Sequence, residues 1–137
     1  MRGIRLLVLF CIGGLLYIGC ELLFRGHTHW TMFIVGGLCF LLVGGINEII
    51  PWEMPIWQQA IIGAIIVTVI EFISGCVINV WLDWAVWDYS DLPLNLLGQI
   101  CLPFMVIWFF IALAAIVIDD YLRYWFFGEE KPYYKLI

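Results

Sequence analysis

A helix needs about 20 consecutive apolar residues to cross the hydrocarbon of a bilayer. This 137-residue chain meets that requirement in four stretches, residues 6–24, 30–50, 59–82 and 96–118, separated by short polar gaps. Hydrocarbon supplies no partner for a peptide N–H or C=O, so such runs are restricted to structures that satisfy their own backbone. The expected fold is therefore an all-α polytopic membrane protein, a four-transmembrane-helix bundle formed by residues 1–137 as one domain. Arg2 and Arg5 precede the first run as in a signal peptide, but no small-residue cleavage site follows and Glu21 stands where one would be needed. The first helix is read as retained. Gly36-Gly37 and Gly44-Gly45 lie eight residues apart, which predicts one face of close helix contact in the second span. Pro103 falls inside the fourth span and predicts a kink there.

Composition agrees: 65% of residues are hydrophobic and 12% charged, against roughly 45–50% and 25% in a soluble domain. The net charge of −5 sits in the polar gaps and at the ends, and no basic patch offers itself to nucleic acid. The expected partner is the lipid bilayer, with room for other membrane subunits or a homo-oligomer. The five cysteines have no C-x-x-C spacing, which speaks against a zinc or redox motif. Cys20, Cys76 and Cys101 reach one membrane depth, and a disulfide among them stays open. No P-loop of the form G-x-x-x-x-G-K-[ST] is present, so no nucleotide-binding motif lies in this chain, and no other cofactor is legible.

Lysine and arginine near the span ends set the orientation. Five of the six, Arg2, Arg5, Arg123, Lys131 and Lys135, lie in the two tails. Both termini are expected to be cytoplasmic, with residues 83–95 forming a polar outer loop of a multi-pass cell-membrane protein.

The third span carries the most informative pattern. At 100° per residue, Ala60, Ala64, Thr68, Glu71, Gly75 and Asn79 fall on one stripe, small or polar throughout, while isoleucine, valine and phenylalanine cover the remainder. Glu71 is thus predicted to face other helices or a cavity, and an ionisable group inside a span is a functional candidate by default. A structural pair with Arg25 or a histidine is the competing reading. On the predicted outer side Glu71 is joined by Glu21, Arg25, His27, His29, Asn79, Asp88, Tyr89, Asn95 and Gln99 as ligand-binding candidates. Each has a plainer reading. Glu21 and Arg25 have the favoured i,i+4 ion-pair order. His27 and His29, with Asp88 or Glu21, are weak metal candidates, since no strict ligand spacing supports them. Asn95 and Gln99 are predicted to share a face at the start of the fourth helix. The tryptophans of residues 81–87 read as a cation cage or, more simply, as interfacial anchors. At the opposite side, Asn47, Glu48, Asp119, Asp120 and Arg123 read as ordinary solvated ends.

Glu21 with R-G-H-T-H at Arg25–His29, G-G at Gly36-Gly37, E-F-I-S-G at Glu71–Gly75, W-D-Y-S at Trp87–Ser90 and N-L-L-G-Q-I-C at Asn95–Cys101 together resemble a bacterial membrane family, the putative ABC-transporter type IV (permease-like) family. The resemblance covers nearly the whole chain. It implies a small inner-membrane protein with a part in transport, any use of ATP falling to a separate subunit. Three readings follow: a transport or permease-like component with an outward-facing polar pocket floored by Glu71; a membrane-embedded metal- or acid/base-dependent enzyme; and a non-catalytic assembly or regulatory subunit. The first is favoured. Catalytic residues are not assignable.

Overall fold

The computed structural model describes residues 2–50 and 53–134, apart from the side chains of Arg2 and Glu48. Five α-helices account for most of it: α1 Arg2–Arg25, α2 Trp30–Gly44, α3 Ile46–Ile49, α4 Ile56–Gly75 and α5 Leu102–Phe127. A π-helical turn, Cys76–Trp81, prolongs α4. Among the described residues no strand forms, and a lone bridge joins Leu96 to Ile100. Among the described residues three helices are long and apolar enough to cross a membrane: Gly3–Arg25, Ile56–Trp81 and Leu102–Phe127. Trp30–Gly44 is apolar but shorter.

Helices α1 and α2 pack antiparallel through glycine on both sides. A Cβ added to Gly36 would stand 2.5 Å from Tyr17 Cβ, and one on Gly13 2.2 Å from Phe40 Cβ. The second glycine pair serves another neighbour: a Cβ on Gly44 would stand 2.6 Å from Asp119 Cβ in α5. Eight residues advance a helix by about 80° beyond two full turns. That rotation carries Gly44 away from α1 and toward α5, so the expectation of one shared face fails. Gly45, with ψ near 4°, separates α2 from α3 and interrupts the predicted 30–50 span.

The core lies between α2, α4 and α5, where Val43, Val67, Trp108, Ala112 and Ile116 are buried together. On the outer face of α4, Ile61, Ile65, Val69 and Ile73 are each more than two-fifths exposed, as lipid-facing side chains would be. The Arg5 guanidinium lies 5.3 Å over the Phe127 ring, which puts the start of α1 and the end of α5 at the same end of the bundle.

The fourth predicted span needs correction. α5 begins at Leu102, not near residue 96, and extends to Phe127. Pro103 therefore occupies its first turn, where the missing N–H costs nothing, and does not break the interior. Residues 82–101 form one long loop containing Asn95 and Gln99, which do not share a helix face. The opposite end differs from expectation as well. Asn47, Asp119 and Asp120 are buried, not solvated. Asn47 Nδ2 donates to Asp120 Oδ2 at 2.7 Å, the Tyr134 hydroxyl donates to the same oxygen at 2.9 Å, and Arg123 Nε donates to Asp119 Oδ2 at 2.8 Å. Gly44 admits α5 so closely that Asp119 is drawn into the helix interface, and both carboxylates find polar partners in place of water.

Candidate functional site

The predicted stripe on α4 faces inward. Ala60, Ala64, Thr68, Glu71 and Gly75 are buried, and Asn79 is half-buried in the π-helical turn. Glu71 lies ten residues from the end of the apolar run at Trp81, at most about 15 Å at the α-helical rise, which is well inside ~30 Å of hydrocarbon but on the Trp81 side of its middle. Burial of a carboxylate there requires compensation. Two neutral donors supply part of it: the Tyr89 hydroxyl to Oε2 at 2.9 Å and Trp108 Nε1 to Oε1 at 3.1 Å. Burial and the Glu71 carboxylate hold the Tyr89 phenol well above the usual tyrosine range, so it remains a donor. Its ring stacks on Phe104, centroids 4.6 Å apart, and Phe104 in turn neighbours Trp108.

Glu71 reaches into a cavity of ≈ 240 Å³ bounded by α1, α2, α4 and α5, with Trp87 of the long loop at one end. The lining is apolar and aromatic apart from Glu71 and a few isolated polar atoms; Tyr17, Cys39, Phe40, Val67 and Trp108 are among its walls. Leu16 and Ile111 also line it, yet remain 45% and 41% exposed, so the space opens sideways between α1 and α5.

The other predicted site residues build the frame around that space. Arg25 Nη1 pairs with Glu21 Oε2, in the i,i+4 order expected, and Arg25 Nη2 donates to the Val86 carbonyl at 3.0 Å. Thr28 Oγ1 donates to the second Glu21 oxygen at 3.1 Å. Together these tie the end of α1 to the long loop. His29 caps α2 by accepting the Thr31 N–H at Nδ1, and its ring lies against Trp30 and Trp84. His27 is exposed. Asn79 is a node: Oδ1 accepts Val86 N at 2.7 Å and Trp87 N at 3.4 Å, while Nδ2 donates to Gln99 Oε1 at 2.8 Å. The Gln99 carbonyl accepts Trp87 Nε1 at 3.1 Å. Asp88 Oδ1 accepts the Ser90 N–H at 2.9 Å, a bond that lowers its carboxyl pKa. Asn95 Nδ2 donates to the Ser90 and Leu92 carbonyls, and its Oδ1 accepts Gly98 N.

The structure thus joins Glu71 to Tyr89, Glu21 to Arg25 and Asn79 to Gln99, and of the ten candidates Glu71 lines the cavity. Among the described residues, no group of three or more His, Cys, Asp or Glu side chains is arranged to hold a metal ion. The five cysteines are free thiols. Sequence reasoning passed over Tyr17 and Trp108, the aromatic walls beside Glu71. Trp108 carried a signal, since a tryptophan well inside a span is out of place in an interfacial belt.

The sequence model of the family described as Putative ABC-transporter type IV matches residues 6–132. The chain belongs to this family. No curated protein and no solved structure matches it. Family and apolar helices together make it a multi-pass membrane protein related to transport.

Proposed function

We propose that this member of the family is a permease-like component of a bacterial cell-membrane transporter, and that its ligand site is centred on Glu71 in the half of the membrane facing outward. In this reading α2 and α3 together complete a fourth crossing, both termini are cytoplasmic, and the loop of residues 82–101 covers the outer end. Tyr89 and Trp108 hold the carboxylate; Glu21, Arg25, Asn79, Asp88, Asn95 and Gln99 hold the loop over it. Nucleotide hydrolysis falls to another subunit, since this chain lacks a P-loop.

The observation that carries the reading is Glu71 itself. It is 6% exposed, lines a cavity, and receives hydrogen bonds from two neutral groups. Arg25, the basic residue that the sequence offered as its partner, is engaged by Glu21. A structural ion pair is therefore a poorer account of Glu71 than a ligand contact.

Cys39 lines the same cavity and supplies a reporter. With the other four cysteines replaced by serine or alanine, maleimide labelling of Cys39 is followed in the presence of a solute panel grouped by charge. A solute that protects Cys39 when Glu71 is present, and fails to protect it in Glu71→Gln, supports the proposal. Protection unchanged by Glu71→Gln for every protecting solute would overturn it.

A further inference from the structure

The lateral opening and the chemistry of the lining narrow the ligand to one class. Resting on the Glu71 site proposed above, we propose that the cavity takes the cationic head of an alkylammonium amphiphile dissolved in the bilayer, its chain passing out between α1 and α5.

Charge selects the head. A carboxylate offers about four lone-pair sites, and the hydrogen bonds from Tyr89 and Trp108 occupy two of them. No lysine, arginine or histidine is among the described residues lining the cavity. The site thus attracts a cation and repels an anion. The type of cation follows from the walls. Mg²⁺ and Ca²⁺ require about six or more oxygen ligands, and this lining provides the Glu71 carboxylate amid mostly hydrocarbon and ring faces. Tyr17, Phe40, Trp87 and Trp108 are aromatic walls of the cavity, and ring faces attract ammonium groups by their quadrupole.

Geometry selects the tail. The ≈ 240 Å³ available exceeds the ~150 Å³ at which apolar cavities already admit benzene. It is nonetheless smaller than the ~300–1,000 Å³ typical of sites that enclose a whole drug-sized ligand. A head group and the first methylenes fit, and the remainder must lie outside. Leu16 and Ala114, both lining and both exposed, flank the opening on the lipid-facing side. Arg5 over Phe127 closes the same seam at the far end. A chain leaving between α1 and α5 therefore stays in hydrocarbon: it keeps the head at the membrane and enters no water when the head binds.

The test is equilibrium binding of radiolabelled dodecyltrimethylammonium, at low mole fraction, to the full-length protein in maltoside micelles. Expected is saturable binding against which tetramethylammonium and dodecanol compete at least about tenfold more weakly than unlabelled amphiphile, because each lacks half of the recognised structure. Glu71→Gln should weaken binding at least about tenfold, Ala114→Trp should obstruct it, and Glu130→Gln on the exposed tail should leave it unchanged. Equal affinity in Glu71→Gln, or competition by tetramethylammonium as strong as by the amphiphile, would overturn the proposal. Absence of saturable amphiphile binding, while a water-borne solute still protects Cys39 in a Glu71-dependent manner, would overturn this inference and leave the Glu71 site standing. Loss of Glu71 dependence in both assays would remove both.

Discussion

Asn79 offers a sharp test of how the long loop is held. Its side chain makes three hydrogen bonds: from Val86 N at 2.7 Å, from Trp87 N at 3.4 Å and to Gln99 Oε1 at 2.8 Å. Leucine at this position has nearly the same shape and none of the bonds. The two short bonds contribute about 1 kcal/mol each, and the long one little. Gln99 is 5% exposed, so removal of its donor strands a buried oxygen, which adds roughly 1 kcal/mol or more. The expected loss in Asn79→Leu is about 3 kcal/mol, or on the order of 10 °C for a chain of this size. Thermal unfolding of the purified protein reads the total. Hydrogen exchange locates it, with amides of residues 86–99 expected to lose protection while those of α1 and α2 keep theirs. A variant that melts within 2 °C of the parent on this scale, with unchanged loop protection, would refute the assignment of Asn79 to the loop. If that same variant had lost its ligand, Asn79 would be a ligand contact, as the sequence first suggested.

Other expectations follow from particular contacts. Gly36→Ala puts a Cβ 2.5 Å from Tyr17 Cβ; overpacking of this kind costs about 1–3 kcal/mol, and the displaced Tyr17 should change ligand protection of Cys39 as well as melting temperature. Tyr134→Phe removes the hydroxyl bonded to Asp120 and should cost about 1 kcal/mol, with faster proteolysis after Gly128; unaltered cleavage would show that this contact does not fasten the tail. Five of the six basic residues lie at or near the two chain ends, so reporters fused to either end should both read cytoplasmic. A reporter after residue 137 reading outside would end the four-crossing proposal.

The helical class, the inward stripe of α4 and the Glu21–Arg25 pair were legible in the sequence because each depends on short-range periodicity. The end of the last helix's predecessor loop was not. In residues 92–102, LPLNLLGQICL, seven of the eleven residues are Leu, Ile or Cys, and an apolar run of that length does not tell helix from loop. What decides is backbone conformation: Leu94 and Leu97 adopt φ of 53° and 55°, left-handed values that leucine rarely takes and no propensity scale forecasts. Asn79 and Trp87 overrule the local preference through bonds across the loop. Asp119 and Asp120 were misjudged for a related reason. Asp119 lies against Gly44 of α2, and Asp120 is bonded by Asn47 of α3 and Tyr134 of the tail, contacts that charge placement along one segment does not reveal. For the candidate site, the stripe identified Glu71, but its partners Tyr89 and Trp108 come from 18 and 37 residues away, beyond the reach of helical spacing.

The role of Glu71 is tested most directly by the melting temperature of Glu71→Gln, alone and combined with Arg25→Gln. Glutamine keeps the volume and can still accept from Tyr89 or Trp108 through its carbonyl oxygen. Because Arg25 is engaged by Glu21 and not by Glu71, Glu71→Gln should remain folded within about 1 kcal/mol of the parent, and its effect should add to that of Arg25→Gln without coupling. Collapse of the single variant by about 3–5 kcal/mol, the cost of stranding a buried partner charge, with recovery when Arg25 is also replaced, would show Glu71 to be half of a structural ion pair and contradict its assignment to a ligand.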